Sequence, residues 1–239
     1  MNYLDLTLPT PAENLACDEA LLDGAEKHGG AGVVRFWEAP RPFMVLGYAN
    51  KVREEVDLAA SRELQVPILR RCSGGGAVLL GPGCLNYSLV LRFDEAGPLR
   101  NIAATNRFVL QRHAGALTRL LARTVTIEGV TDLAVEHLKC SGNAQRRKRH
   151  WLLFHGTFLL EADLGLIERL LLPPSRQPAY RKKRSHTAFL TQLRLPPETV
   201  KAALRETWNA TQPCQEIPRE EITRLASEKY GTDEWNLKW

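Results

Sequence analysis

Two hydrophobic periods interleave along the chain. Short apolar or β-branched runs bounded by turn residues are typical of strands, and they predict strands at 1–8, 33–37, 43–48, 68–71, 77–80, 85–91, 132–135 and 151–160. Apolar residues spaced by three or four positions predict helices at 14–25, 103–122, 164–171, 198–209 and 220–230. The alternation of both patterns favours a mixed α/β or α+β fold over an all-helical or all-β one.

The sequence changes character after Leu172. Residues 173–175 read Pro-Pro-Ser, and the stretch 176–186 is basic. Helical patterns dominate from about Pro196 onwards. We therefore expect one main domain over 1–196 and a small helical C-terminal appendage over 197–239 that packs on it.

Composition narrows the class of protein. Of 239 residues, 44% are hydrophobic and 25% are charged, which is ordinary for a soluble globular protein and excludes a disordered or collagen-like chain. No apolar run approaches the roughly 18 residues of a membrane span. The first residues show neither the basic nor the apolar region of a secretory signal. The net charge of +5 favours anionic partners without requiring nucleic acid.

Five cysteines stand far apart, at positions 17, 72, 84, 140 and 214. An odd number of widely spaced cysteines in a chain of this length indicates free thiols and a cytoplasmic protein rather than a disulfide scaffold. Their spacing also lacks the pairs typical of zinc sites, so no structural metal is expected.

A glycine-rich segment lies between two predicted strands and reads Arg70-Arg71-Cys72-Ser73-Gly74-Gly75-Gly76-Ala77. Because glycine has no Cβ atom, a ligand can lie directly against the backbone N–H groups. The two arginines supply forked donors for a carboxylate or a phosphate. A flexible hairpin turn with a solvated arginine pair accounts for the segment equally well. It matches neither the Walker phosphate loop nor the dinucleotide-binding glycine motif.

Two further segments carry candidate chemistry. Residues 137–145 read His-Leu-Lys-Cys-Ser-Gly-Asn-Ala-Gln and place Lys139 before a predicted turn of small residues. A lysine there supplies a point charge near a phosphate, although an exposed hairpin lysine is the commoner fate. His155 lies in an apolar strand, where a lone histidine is more often a hydrogen-bonded core residue than a catalyst. Gly156 inside that strand indicates close approach of a ligand or of another backbone segment.

Together these segments resemble the lipoate–protein ligase family, which belongs to a wider class with biotin–protein ligases and lipoyl or octanoyl transferases. The matching motifs cover most of the chain, at 14–21, 34–37, 46–48, 70–78, 85–88, 131–133, 139–145 and 155–157. A biotin–protein ligase fits less well, because the G-R-G-R-x-G-R-x-W type of loop is missing. The resemblance implies a mixed α/β (α+β) catalytic domain with a mixed β-sheet flanked by helices, and a short helical C-terminal tail.

The resemblance also implies a two-step reaction. Lipoate or octanoate reacts with ATP to give an acyl-adenylate and pyrophosphate, with Mg²⁺ bridging the phosphates. The acyl group then passes to a specific lysine of an acyl-carrier protein, which is a lipoyl domain or a protein similar to the H protein of glycine cleavage. No protein nucleophile is needed, because the adenylate is itself the activated acyl donor.

The same resemblance assigns roles to individual residues. Lys139 is expected to contact both the carboxylate and the α-phosphate, and to stabilise the charge that develops in the transition state. Arg71 is expected to hold the nucleotide or the acyl carboxylate, and Asp132 to lie near magnesium or the nucleotide. The full set of expected substrate- and ATP-binding residues is Arg71, Ser73, Gly74, Gly75, Gly76, Ala77, Val78, Leu79, Asn86, Tyr87, Ser88, Asp132, Asn143, His155 and Gly156.

Further residues are candidates for binding the acyl chain and for docking the carrier protein. The apolar chain is expected in a slot lined by Val78, Tyr87, Leu89 and His155. The basic clusters 146–149 and 181–184 indicate either solvated loops or a docking face for an acidic carrier domain. Nucleic-acid binding is less consistent with them, because no aromatic residues are interleaved. We expect a monomer that binds neither nucleic acid nor a membrane.

Two alternatives to an ATP-dependent ligase stay open. Many lipoate ligases carry an accessory domain, for which 239 residues leave no room, so a separate partner protein is one possibility. The first alternative is an octanoyl transferase that moves an acyl group between carriers through a cysteine thioester. The second is a binding module without catalytic activity, which the presence of Arg71, Lys139 and the three glycines argues against.

Overall fold

The computed structural model describes residues 1–174 and 177–239; Ser175 and Arg176, part of the predicted basic stretch, lie outside them. The strands are β1 (Asn2–Asp5), β2 (Val33–Glu38), β3 (Phe43–Leu46), β4 (Ile68–Arg70), β5 (Val78–Leu80), β6 (Cys84–Arg92), β7 (Val125–Glu128), β8 (Asp132–Val135), β9 (Leu138–Arg147), β10 (Trp151–Leu159) and β11 (Gln212–Pro213). The helices are α1 (Pro11–His28), α2 (Val52–Glu55), α3 (Leu58–Glu63), α4 (Ile102–Leu121), α5 (Leu164–Leu170), α6 (His186–Phe189), α7 (Pro197–Thr207), α8 (Arg219–Leu225) and α9 (Asp233–Asn236), with a 3₁₀ turn at Ala179–Arg181 and a π turn at Ala226–Tyr230.

The strands form two mixed sheets. Within the described chain, the large sheet has the order β11–β1–β2–β6–β10–β9–β8–β7, and the small sheet has the order β4–β3–β5. In the large sheet β1 is parallel to both of its neighbours and the other pairs are antiparallel. In the small sheet β3 is parallel to β4 and antiparallel to β5. These mixed sheets flanked by helices confirm the predicted fold class.

Both faces of the large sheet are covered by helices. In β2, Val34 and Phe36 belong to a hydrophobic cluster shared with α4 and α7, whereas Val33 and Trp37 belong to a cluster shared with α1 and α8. Successive side chains of a strand point to opposite faces, so a strand that is buried on both sides has no polar face. This burial explains why the central strands appear in the sequence as nearly continuous apolar runs.

Helix α1 begins and ends at residues that suit those positions. Thr10 caps its N-terminus in a reciprocal pair of hydrogen bonds with Glu13, and Pro11 occupies the first turn, where no N–H is needed. Gly29 ends the helix with a φ of +74°. Among the helices of the described residues, none combines the length and the apolar character that crossing a membrane requires.

The predicted turn after Lys139 is wrong, because this segment is part of strand β9. Gly142 pairs with Asp132 of β8 on one side and with Thr157 of β10 on the other. Serine, glycine and asparagine favour turns by themselves. Here the hydrogen bonds from two neighbouring strands outweigh that local preference. Strand β7 and the short helices α2, α3, α6 and α9 are additional elements that the pattern does not predict.

The C-terminal segment 197–239 is joined to the rest of the fold at several points. β11 extends the large sheet beside β1, and α7 packs on α4. The fully buried Arg70 donates hydrogen bonds to the carbonyl oxygens of Trp235 and Asn236. It also donates to the carbonyls of residues 47, 48 and 50. The first arginine of the glycine-rich segment therefore fixes the tail to the small sheet.

His113 gives a test of the packing between α4 and α7. Its Nε2 accepts a hydrogen bond of 2.8 Å from Nε1 of Trp208, and burial lowers its pKa from 6.5 to about 3. Between those pH values the unfolded chain binds a proton that the folded chain does not. We expect the free energy of unfolding to fall by about 1.4 kcal/mol per pH unit as the pH drops through this window.

Urea unfolding between pH 7 and pH 4 measures this dependence. His113→Gln is expected to make it shallower, because glutamine does not titrate. The matched control is His28→Gln at an exposed position, which should keep the slope of the unsubstituted protein. An equal slope in both variants would contradict the assignment.

Candidate functional site

A cavity of about 460 Å³ is lined by residues of both sheets. β3 and β5 of the small sheet form part of its wall, and β6, β9 and β10 of the large sheet form another part. The wall includes the predicted site residues Arg71, Gly75, Gly76, Ala77, Val78, Leu79, Asn86, Tyr87, Asp132, Lys139, Asn143, His155 and Gly156. The fold thus brings together residues that are up to 85 positions apart in the chain.

Some predicted residues lie outside the wall. Ser73 and Ser88 are buried beside the cavity, and Gly74 is exposed. The predicted place of Leu89 in the acyl slot is wrong. Leu89 follows Tyr87 along β6 and packs fully buried in the core cluster against α4, away from the cavity.

The glycine loop, defined as residues 71–77, folds around its own arginine. Nη2 of Arg71 donates to the carbonyl oxygens of Gly74 at 2.7 Å and Gly76 at 2.8 Å, and Nε donates to Oγ of Ser73 at 3.1 Å. Burial lowers the pKa of Arg71 to about 10, which still leaves it cationic at neutral pH. Arg71 therefore shapes the loop from inside as well as lining the cavity.

The backbone N–H groups of residues 74–77 in this loop differ from that of Arg71, which donates to the carbonyl oxygen of Leu46. Because peptide planes are trans, a carbonyl of Gly74 that points at Arg71 turns the N–H of Gly75 away from it, and Gly76 does the same for Ala77. Among the residues that the structure describes, no N–H group of 74–77 donates to another protein group. Unpaired backbone donors beside a fixed positive charge form an arrangement that binds anions.

Lys139 reaches the cavity from β9. Its Nζ lies 2.8 Å from Oδ1 of Asp132, and Tyr180 donates from its hydroxyl to Oδ2 of the same carboxylate at 2.7 Å. Gly142 faces this lysine, since a Cβ there would lie 3.0 Å from Nζ. The absence of a side chain at this position leaves room for Lys139 along the strand surface.

Gly156 confirms the close approach that its place in a strand predicts. A Cβ at this position would lie 1.9 Å from Oδ1 of Asn143 and 2.8 Å from the carbonyl oxygen of Gly142. Oδ1 of Asn143 also accepts a hydrogen bond from the hydroxyl of Tyr87, while Nδ2 donates to the carbonyl of Thr131. The glycine thus allows Asn143 to cross from β9 over β10 and to fix the buried tyrosine.

His155 is neither isolated nor a simple core residue. Its Nε2 lies 2.6 Å from Oγ of Ser73, and its Nδ1 lies 3.3 Å from Oδ2 of Asp18. Asp18 and Trp37 line the cavity although neither is among the predicted site residues. Asp18 belongs to the first-helix motif 14–21, and this motif is the only sequence signal that points to it.

The cysteines lie away from the cavity wall. All five are unpaired thiols, and none of them lines the cavity among residues 1–174 and 177–239. Burial raises the pKa of Cys72 and of Cys140 to about 12, despite the neighbouring arginine and lysine. Both thiols are therefore protonated at neutral pH and are poor nucleophiles.

The two basic clusters are largely engaged within the protein. Arg146 donates to the carbonyl of Cys72, and Arg147 donates to that of Leu99. Arg181 is only 3% exposed, which excludes it from a docking face. Neither cluster is a purely solvated loop, and a docking face formed by the exposed residues Arg149, Lys182 and Lys183 stays a prediction.

The expected place of Asp132 near magnesium or the nucleotide stays a prediction. In the described part of the chain, no group of three or more histidine, cysteine or acidic side chains is placed to hold a metal. Both carboxylate oxygens of Asp132 are engaged, by Lys139 and by Tyr180. Mg²⁺ that bridges the phosphates of ATP keeps most of its ligands from the phosphates and from water.

Comparison with known proteins gives a consistent family. Residues 10–208 match the family described as "Lipoyl protein ligase A/B catalytic domain". The chain is 32% identical over 177 residues to a protein of Aeropyrum pernix provisionally named lipoate-protein ligase A, a match that covers 71% of this chain and 61% of that relative. It is 29% identical to octanoyltransferase LipM of Geobacillus kaustophilus, and this match covers 99% and 97% of the two chains.

Solved structures agree with the sequence comparison. The bipartite lipoate protein ligase of Thermoplasma acidophilum, described with its E2 lipoyl domain, superposes with a TM-score of 0.83 at 25% identity over 99% of this chain and 96% of that one. A lipoate-protein ligase A bound with ATP superposes with a TM-score of 0.78, also at 25% identity, over 99% of both chains.

Proposed function

Because the chain belongs to the lipoyl protein ligase A/B catalytic domain family, we propose that it attaches lipoate or octanoate to a lysine of an acyl-carrier domain through an acyl-adenylate made from ATP. The family comprises lipoate ligases and octanoyltransferases, and the protein is an enzyme of this group. The ATP-dependent route is the part that we propose. Its carrier is a lipoyl domain or a protein similar to the H protein of glycine cleavage.

One observation carries the proposal. Lys139 and the unpaired N–H groups of the glycine loop line the same cavity, and no cysteine lines it among the described residues. A ligase needs cationic and backbone donors around two anions, because ATP and a carboxylate repel each other. A thioester-forming transferase needs a reactive thiol at the acyl group. Among the described residues, the cavity wall has the first set of groups and no thiol.

The first step joins the acyl carboxylate to the nucleotide. A carboxylate oxygen attacks the α-phosphorus of Mg·ATP, and pyrophosphate leaves. The glycine-loop donors hold phosphate oxygens, and Nζ of Lys139 lies between the carboxylate and the α-phosphate, where it stabilises the charge of the transition state. The relative bound with ATP supports nucleotide binding in this fold.

The second step passes the acyl group to the carrier. The amine of the carrier lysine attacks the acyl carbonyl, AMP leaves, and the amine loses a proton as the amide forms. The apolar chain meanwhile lies against the cavity residues Val78 and Tyr87. The five free thiols suit a cytoplasmic reaction, where cysteines stay reduced.

ATP–pyrophosphate exchange tests the proposal directly. We expect exchange that depends on lipoate or octanoate in the absence of any carrier. The alternative is the octanoyl transferase, which the similarity to LipM along 99% of the chain favours. ATP-independent transfer from an octanoylated carrier, without pyrophosphate exchange, would establish that alternative.

Variants of two cysteines give a second test that distinguishes the ligase reaction from the transferase reaction. We expect Cys72→Ser and Cys140→Ser each to retain at least about half of the ATP-dependent lipoylation rate, because serine replaces the buried thiol with a group of similar size. Intact mass spectrometry of the unsubstituted protein should show no acyl thioester. Loss of activity in one variant together with an acyl-enzyme mass in the unsubstituted protein would contradict the ligase assignment.

A further inference from the structure

A continuous row of hydrogen-bonded groups runs from the sheet interior to the glycine loop. Strand register places Arg35 of β2 and His155 of β10 on either side of Ser88 in β6, so the three residues share one face of the large sheet. Asp18 of helix α1 lies over this row. Its Oδ1 accepts from Nη1 of Arg35 at 2.7 Å, and its Oδ2 lies 3.3 Å from Nδ1 of His155.

The row ends in the glycine loop rather than in the core. Nε2 of His155 contacts Oγ of Ser73 at 2.6 Å, and the same oxygen accepts from Nε of Arg71 at 3.1 Å. Asp18, His155 and Arg71 also line the cavity. The ion pair of Asp18 and Arg35 is therefore connected, through His155 and Ser73, to the loop that presents the free backbone donors.

The chemistry of each group constrains the direction of every hydrogen bond. Burial alone would raise the pKa of Asp18, but the hydrogen bond from His155 and the charge of Arg35 together hold it below its usual value. The ionised carboxylate only accepts, so Nδ1 of His155 carries a proton. In the neutral form of the ring Nε2 is then bare, and it accepts the hydroxyl proton of Ser73. A lone pair of Ser73 remains for Arg71.

We propose that Asp18, anchored by Arg35, is a positioning residue that sets the tautomer of His155. This tautomer directs the hydroxyl of Ser73 to the imidazole. The resulting hydrogen bond holds the glycine loop and Arg71 in the shape that binds the nucleotide. The kinetic part of this proposal rests on the proposed function. Arg35 does not line the described cavity, and the proposed effect of Asp18 on nucleotide binding acts through His155 and Ser73.

The tautomer itself is measurable without any variant. In a ¹⁵N NMR spectrum of the full chain, the imidazole of His155 should carry its proton on Nδ1. In Asp18→Asn the amide oxygen can still accept from Arg35, while the amide N–H₂ faces Nδ1 of His155. We expect the proton to move to Nε2, which then donates to Ser73 and releases the serine hydroxyl. Protonation of Nε2 in the unsubstituted protein would overturn the proposal.

The kinetic test separates positioning from stability. Asp18→Asn should raise the KM for ATP in pyrophosphate exchange by about tenfold, because one hydrogen bond between charged or strongly polar groups is lost. The kcat should stay within about twofold of the unsubstituted value, because Lys139 is unchanged. The matched control is Glu19→Gln, the next residue of α1. Glu19 is a similarly buried carboxylate, but it pairs with Lys229 and Tyr230 and not with His155 or Ser73. Its KM for ATP should stay unchanged.

A double-mutant cycle shows whether Asp18 acts through Ser73. Ser73→Ala alone should raise the KM for ATP to a similar extent, and adding Asp18→Asn should change it by less than about twofold further, because the link is already broken. Additive effects would assign Asp18 a merely structural role and overturn the proposal. If Asp18→Asn does not fold, Ser73→Ala and the NMR tautomer of the unsubstituted protein still decide.

Failure of the proposed function and failure of the positioning proposal give different experimental results. If the unsubstituted protein shows no pyrophosphate exchange with either acid, the ligase proposal fails, whereas the ¹⁵N tautomer of His155 still tests the positioning network. If exchange is normal and the tautomer is on Nε2, only the positioning network fails.

Discussion

Lys139→Ala is expected to lower kcat for ATP–pyrophosphate exchange by about 10²- to 10³-fold, the range found when one electrostatic stabiliser of a developing charge is removed. The side chain of Lys139 is 27% exposed and pairs with Asp132. Removing the lysine leaves the mostly buried carboxylate of Asp132 with Tyr180 as its remaining side-chain partner, which costs about 1–3 kcal/mol, so the fold should be weakened but remain intact. The midpoint of thermal unfolding checks this second expectation.

Lys148→Ala is the matched control for this change. Lys148 has the same 27% side-chain exposure and also pairs with an aspartate, Asp23, but it does not line the cavity. Its variant should exchange pyrophosphate at the rate of the unsubstituted protein. If both variants keep full activity, Lys139 has no role in adenylate formation.

The sequence predicts most of the fold because both faces of the large sheet are buried. Runs such as 33–37, 85–91 and 151–160 are mostly apolar, and the observed strands β2, β6 and β10 occupy them nearly to the residue. Strand β9 is different. Its polar and small residues resemble a turn, and only the backbone hydrogen bonds from β8 and β10 make it a strand. Pairing across the sheet is not visible in a local pattern.

In the candidate site, too, the sequence predicts some features and not others. Motif order and spacing identify Lys139, the glycine loop and His155, and the structure brings these groups around one cavity. The sequence does not reveal that Arg70 and Arg71 differ. Arg70 is fully buried against carbonyls of the C-terminal segment, whereas Arg71 lies inside the loop. Which of two adjacent arginines faces a ligand depends on strand direction and on a tail more than 160 residues away.

Asp18 could not be assigned from the motifs alone. It stands 137 positions before His155 and 55 before Ser73, and only the packing of α1 on β6 and β10 brings the three together. Sequence spacing carries information about contacts within an element or between neighbouring strands. It carries little about which helix residue lies over which strand residue, because that depends on the packing of whole elements.

Gly75→Ala is expected to raise the KM for ATP by about tenfold or more, a loss of roughly 1.4 kcal/mol in binding. Gly75 has a φ of +92°, a conformation that residues with a Cβ rarely adopt, and a Cβ there would lie 2.8 Å from Nη2 of Arg71. Either the loop backbone or the guanidinium must therefore move, and in both cases the hydrogen bonds from Arg71 to the carbonyls of Gly74 and Gly76 weaken.

Gly74→Ala is the matched control, one residue earlier in the same loop. Nothing lies within 4 Å of a Cβ at Gly74, and its φ is not in the left-handed region. The KM for ATP of this variant should stay within about twofold of the unsubstituted value, because the substitution neither clashes nor strains the backbone. Equal KM values for the two variants would show that the shape of the loop around Arg71 does not determine nucleotide binding. The anion site would then have to lie elsewhere in the cavity.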